Sequence, residues 1–276
     1  MFLISNFNKV INFLVLNNLF VAICVAALTL SSQLIYSEFN LELVFFSFFA
    51  TFLSYNFHSL FSNKTIKDFN LNKIFDHFSL LIILLLLLSF VFGFILFIQF
   101  NPLTKFYILV LSLVSLFYPF GLRTIPFLKI FLISTSWTIS SVCLFFSENQ
   151  VQLDESAFLM LLKRFLFIMA ITIPFDLRDY KFDDLKMKTF PQIFGYNFSK
   201  KIAIGFLIIY LCISTFEFLS GDLKLSFFVS FILTFLYSSF LIIKTSEKKN
   251  KLFFLFFVES ASISILFFLI ITSIFL

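Results

Sequence analysis

The 276 residues predict an all-α integral membrane protein, a bundle of nine transmembrane helices with the N-terminus inside and the C-terminus outside. Three observations carry that prediction. Apolar runs of about 20 residues recur along the chain, the length a helix needs to cross ~30 Å of hydrocarbon. The mean hydropathy of +1.05, with 61% hydrophobic and 13% charged residues, is too apolar for a soluble core. The basic residues fall mostly in alternate connections, the pattern that sets orientation in a bilayer.

In order, the runs cover residues 10–36, 41–62, 76–99, 103–120, 126–146, 156–179, 199–219, 224–244 and 252–276. Turn formers punctuate them at Asn101-Pro102, Pro119 with Gly121, Pro126 and Ser220-Gly221-Asp222. The first run follows Lys9 and contains Ala26-Ala27, which imitates a secretory signal. Asn17 and Asn18 interrupt its apolar stretch and the run continues to Tyr36, so a retained first helix is expected. Nothing is left over for a soluble domain, and residues 1–276 read as a single polytopic membrane domain.

With the N-terminus inside, the inner segments hold Lys9, Lys64, Lys67, Lys73, Arg123, Lys129, Arg178, Lys181, Lys186, Lys188, Lys200, Lys201, Lys244, Lys248, Lys249 and Lys251. These are 16 of the 20 Lys and Arg, and only Lys105, Lys163, Arg164 and Lys224 fall toward the other side. Lys163 and Arg164, near the start of the sixth run, are expected to snorkel outward. The net charge of +5 is thus an orientation signal dispersed over short loops, and nucleic acid is not an expected partner. Cys24, Cys143 and Cys212 stand isolated in apolar segments, as buried thiols without a disulfide or zinc site.

One stretch carries chemistry: Asp176-Leu177-Arg178-Asp179-Tyr180-Lys181-Phe182-Asp183-Asp184, followed by Lys188-Thr189-Phe190-Pro191. Steps of three and four put Asp176, Asp179 and Asp183 on one helical face, where three like charges repel unless a cation lies between them. Oxygen-only ligands point to a hard ion such as Mg2+, which takes one or two carboxylates and completes its shell with water and phosphate oxygens. Carboxylates at the mouth of a membrane helix are costly and usually functional.

This DxxDxxxD pattern, with its following basic residue, Thr189, Pro191 and Gly195, resembles the second aspartate-rich motif of the UbiA-type intramembrane prenyltransferases. The resemblance implies a nine-helix bundle of that type, in which Asp176, Asp179 and Asp183 hold Mg2+ for the diphosphate of an isoprenoid donor. It also implies roles for Arg178 and Lys188 in binding that substrate. The family's first motif, NDxxDxxxD, has no acidic counterpart at the end of the second run, Ser54 to Lys64. Matching Asn56 to the family's Asn puts Phe57, Leu60 and Lys64 at the Asp positions. Shifting by one residue puts Asn56, Ser59 and Asn63 there, which keeps a polar face and is preferred, with Lys64 available to supply positive charge in place of a metal. His58 lies off that face and reads as a hydrogen-bonded interface residue. Between the fourth and fifth runs, Tyr118, Arg123 and Lys129 match the Tyr and basic residues that help grip diphosphate in the family. The hydroxyl run Ser134 to Ser141 reads as helix packing, and Glu259, about two turns into the last helix, as a residue facing the bundle interior.

The resemblance implies transfer of an isoprenoid group from a polyprenyl diphosphate to a lipophilic or aromatic acceptor, with Mg2+ as cofactor and membrane lipid as surroundings. The implied location is a bacterial inner (cytoplasmic) membrane, with the active site facing the cytoplasm. Loss of the first motif leaves open a non-catalytic relative that binds a lipid or a partner. A transporter would require broken midplane helices and internal repeats, and the sequence shows neither clearly.

Overall fold

The structure, a computed structural model, describes residues 2–62, 78–122, 125–183 and 187–276, the side chains of 2–8 and 62 excepted. Asn63, Lys64, Arg123 and Asp184 lie outside the described residues. All regular structure among the described residues is helical. The elements are α1 (Phe2–Leu16), α2 (Leu19–Tyr36), α3 (Leu41–Ser62), α4 (Leu80–Gln99), α5 (Pro102–Phe117), α6 (Leu128–Glu148), α7 (Glu155–Asp179), α8 (Phe190–Phe194), α9 (Tyr196–Leu219), α10 (Leu225–Lys244) and α11 (Phe253–Phe275). Nine of these, all except α1 and α8, are long and apolar enough to cross a membrane among the described residues. The nine expected runs therefore correspond to nine helices.

Helix starts follow from side chains that accept orphan backbone N–H groups. Asn101 accepts from Thr104 N at 2.8 Å with Pro102 at the first position of α5, and Asp154 accepts from Ala157 N at 2.8 Å to open α7. Asn40 accepts from Leu43 N at 3.2 Å at the head of α3. In the spans themselves the apolar residues surround the helix, so the backbone is satisfied internally and the faces divide between protein and lipid.

The expected first helix, 10–36, is two helices. Asn18 adopts φ 61°, a left-handed conformation that Asn tolerates, and breaks the run into α1 and α2. Asn17 holds the end of α1 by donating to Phe13 O at 2.8 Å. At 15 residues α1 is about 22 Å long, too short to span, and the first crossing is α2. Ile11 and Val15 of α1 are nevertheless buried in the main core.

The most buried spans are α2, α6 and α7; α4 and α5 present most of their surface outward. The core joins Leu28 of α2, Ile130 and Trp137 of α6, Phe167 and Ile173 of α7, Leu207 of α9, Phe231 of α10 and Ile265 of α11. The hydroxyls of α6 mostly bond back to their own helix: Thr138 donates to Ser134 O at 2.8 Å and Ser141 to Trp137 O at 2.7 Å. A π turn at Ile139–Cys143 follows, and another at Phe253–Val258 opens α11 just before Glu259. The expected outward snorkelling of Lys163 and Arg164 does not occur: both are buried, Lys163 against Glu217 and Arg164 against α2. The reason is their depth, since Arg164 lies nine residues inside α7, about 13 Å from its end.

Candidate functional site

The site forms where α7 ends and α6 begins. Pro174 lies inside α7, Asp176 occupies its last turn and Asp179 is its final residue. Only these two carboxylates are helical. The chain turns over Tyr180 to Asp183, with Phe182 N and Asp183 N both donating to Asp179 O, so Asp183 joins the others from a turn and not from a third helical position. Its backbone is held in place by Gln192, whose Nε2 donates to Asp183 O at 3.2 Å while its Oε1 accepts from Thr189 N at 2.9 Å. The Thr-x-x-Gln spacing of a helix start was the signal for that clamp. Gly195, at φ 77° and ψ 164°, then ends α8 and begins α9.

The cation among the carboxylates is Lys129. Phe127, at φ 62°, precedes α6, and its N–H donates to Met187 O at 3.3 Å, which ties the α5–α6 connection to the segment after Asp183. Lys129 follows two residues later. Its Nζ lies 2.8 Å from Asp183 Oδ2, 2.9 Å from Asp176 Oδ1 and 3.8 Å from Asp179 Oδ2. The contact with Asp183 is a hydrogen bond, and that with Asp176 is an ion pair without hydrogen-bond alignment. Asp176 is 1% exposed and its Oδ2 has no hydrogen-bond partner among the described residues. Arg178 makes a two-pronged pair with Asp179, Nε to Oδ1 at 2.7 Å and Nη2 to Oδ2 at 2.9 Å, and its guanidinium lies over Phe175 and Phe254. Three carboxylates thus face two cations in a largely dry setting.

The residues proposed for the first motif are arranged differently. Asn56 is 1% exposed and its amide is engaged within the fold: Oδ1 accepts from Asn18 at 3.1 Å, and Nδ2 donates to Phe52 O at 2.8 Å and Asn17 O at 3.3 Å. It secures the break between α1 and α2. Ser59 donates to Asn56 O at 2.9 Å. His58 Nε2 lies 2.8 Å from Ser115 O, and its ring is 5.1 Å from that of Tyr118, so His58 joins α3 to the end of α5 as an interface residue. Lys188 is exposed, at φ 44°, in the approach to α8. Deeper in, Trp137 Nε1 donates to Tyr55 OH at 3.1 Å, and Cys24 Sγ donates to Glu259 O at 3.4 Å. Glu259 is buried, as an interior-facing residue should be. Tyr55 had no signal in the sequence beyond being one aromatic among many.

In donor chemistry the aspartates suit one hard cation, with Asp176 Oδ2 a buried acceptor in want of a partner. As placed, however, the point they share is taken by the Lys129 ammonium, and among the described residues no three His, Cys, Asp or Glu side chains are disposed around an ion. The set fits a single ion that replaces or displaces Lys129, and provides no second acidic face for another.

The chain is thus a polytopic helical bundle in which acidic and basic groups converge where α7 ends and α6 begins. Residues 79–261 match the profile of the UbiA prenyltransferase family, and the chain belongs to that family. It is an integral membrane protein. A solved structure concerned with digeranylgeranylglyceryl phosphate synthase in membranes is similar over 97% of this chain and 99% of that one, with a TM-score of 0.60 at 14% identity, which shows a shared fold. No curated protein matches the sequence. Family and fold support a membrane prenyltransferase in general terms.

Proposed function

We propose that the chain transfers an isoprenoid group from a polyprenyl diphosphate to a lipophilic or aromatic acceptor, as one membrane domain spanning residues 1–276. The observation that carries this reading is the convergence of Asp176, Asp179 and Asp183 on Lys129 at the end of an apolar bundle. In the reaction the allylic C–O bond breaks and the diphosphate leaves with the electron pair. The acceptor then bonds to the allylic carbon and loses a proton. Mg2+, when bound, would be held by Asp176, Asp179 and Asp183 and would draw negative charge off the leaving diphosphate. Lys129 and Arg178 are the cations that would turn from their carboxylates to the diphosphate oxygens, Arg178 with the fork that suits phosphate. Tyr55, Trp137, Phe175 and Phe254 supply aromatic faces on which an allylic cation is stabilised away from water. Tyr118, Arg123, Ser59, Asn63, Lys64 and Lys188 complete the proposed substrate contacts. The distribution of basic residues supports a site that opens to the cytoplasm of a bacterial inner membrane, with the N-terminus inside.

The second reading, a relative that binds a lipid or partner without turnover, is favoured by one observation: Asn56, first of the non-acidic positions, spends its amide on the fold. Purified protein in lipid nanodiscs, given labelled C10 to C20 isoprenoid diphosphates, a panel of aromatic and lipid acceptors, and either Mg2+ or a chelator, separates the two. Mg2+-dependent release of diphosphate with label in an extractable product supports the enzyme. Saturable binding of donor without product supports the second reading.

A further inference from the structure

Far from the aspartates, the bundle holds a second concentration of charge. Lys163 and Arg164 of α7 are 6% and 5% exposed, twelve or more residues before Asp176 and thus about 18 Å from it along the helix. Lys163 pairs with Glu217 of α9, which cancels both charges, and its ammonium lies 4.8 Å from the centre of the Phe231 ring. Among the described residues Arg164 has no such partner. One of its nitrogens, Nη2, donates to Ser31 Oγ at 2.8 Å, Ser32 Oγ at 3.0 Å and Leu28 O at 3.2 Å, all neutral acceptors of α2. The other, Nη1, is buried and makes no hydrogen bond among the described residues, and the same holds of the hydroxyl of Tyr210, a residue 3% exposed.

Lys163, Arg164 and Tyr210 line one cavity of about 20 Å³ together with Ile35, Met160 and Phe231. A space of that size holds about one water-sized occupant. Its polar lining is made of donors: guanidinium and ammonium cannot accept, and only the phenol can do both. A water there would find donors and almost nothing to donate to. A monatomic anion would accept from Arg164 Nη1 and Tyr210 OH and would cancel the one uncompensated charge of a cluster that the low-dielectric interior otherwise penalises. Phosphate, sulfate and lipid headgroups are too large. We propose that this cavity is an internal site for a chloride-class anion that fastens α2, α7 and α9 together. The site stands apart from the aspartates and does not rest on the prenyltransfer reading.

Whole protein, purified in detergent with gluconate as the sole anion, is titrated with NaBr or NaCl at constant ionic strength while its thermal midpoint is followed, and crystals grown with bromide are examined for anomalous scattering. The expected result is a saturable rise in midpoint with either halide and not with sulfate, and a bromide peak between Arg164 and Tyr210. Tyr210→Phe keeps the ring and removes one donor to the anion, so halide affinity should fall about tenfold, the factor given by ~1.4 kcal/mol for a hydrogen bond to a charged group. Identical midpoints in all salts, a bromide peak elsewhere, or a halide response unchanged in Tyr210→Phe would each overturn the proposal.

Discussion

Lys129 is the residue on which the site turns. It is buried, and its ammonium meets three carboxylates, those of Asp176, Asp179 and Asp183. Replacing it by Met takes the ion-pair partner from buried Asp176, a change that typically costs about 3–5 kcal/mol. If the same point can hold a divalent ion, millimolar Mg2+ should return much of the lost stability to Lys129→Met and change wild type little; thermal unfolding in a Mg2+ series reads both. Asn56 makes a contrasting case. Its spacing with Ser59 and Asn63 suggests an acidic motif stripped of charge, yet its amide bonds Asn18, Asn17 and Phe52. Asn56→Asp therefore should not build a metal position: it removes two donated hydrogen bonds and buries a charge, with a predicted loss of about 2–3 kcal/mol in denaturant unfolding. Spacing singled out as a group the three aspartates that the structure brings to Lys129, because recurrence at three and four is visible in one dimension. It did not reveal that Asp183 arrives from a turn, nor that Lys129 belongs among them, since that contact is made across 54 residues of chain.

At the scale of elements, nine membrane runs were legible because apolar length is a local property, and several of their ends because Asn101-Pro102 and the Gly and Pro residues are local signals as well. The split of α1 from α2 was visible as Asn17-Asn18 but not as a break, since its stability depends on Asn56 reaching from α3. The inward turn of Lys163 and Arg164 was hidden for a similar reason: their depth follows from where α7 begins, at Glu155, and the groups that hold them there come from other helices, Glu217 of α9 and Ser31 and Ser32 of α2. Gly195 tests the joint between α8 and α9. Its φ of 77° and ψ of 164° lie in a region essentially closed to other residues, while a Cβ would meet no atom within 4 Å. Gly195→Ala should thus lose about 1–3 kcal/mol through backbone strain alone, and since Gln192 on α8 clamps Asp183, donor binding should weaken along with stability. Unchanged unfolding of Gly195→Ala would show that the joint relaxes freely.

For the molecule as a whole, nine candidate spans among the described residues, with 16 basic residues expected on one side from the sequence, predict that the aspartate site faces the cytoplasm. With exposed Cys212 first changed to Ser, a cysteine at Lys248 should react with an impermeant maleimide only after cells are opened; labelling of intact cells would invert the topology. The central claim, that the carboxylates and Lys129 form the headgroup site for an isoprenoid diphosphate, is tested most directly by calorimetric titration of the nanodisc-held protein with a thiodiphosphate analogue that cannot ionise. In Mg2+, wild type should bind the analogue saturably. Asp176→Asn should bind it at least tenfold more weakly, the loss of one charge-assisted contact. Equal affinity in wild type and Asp176→Asn, or affinity indifferent to Mg2+ and to Lys129→Met alike, would contradict the assignment.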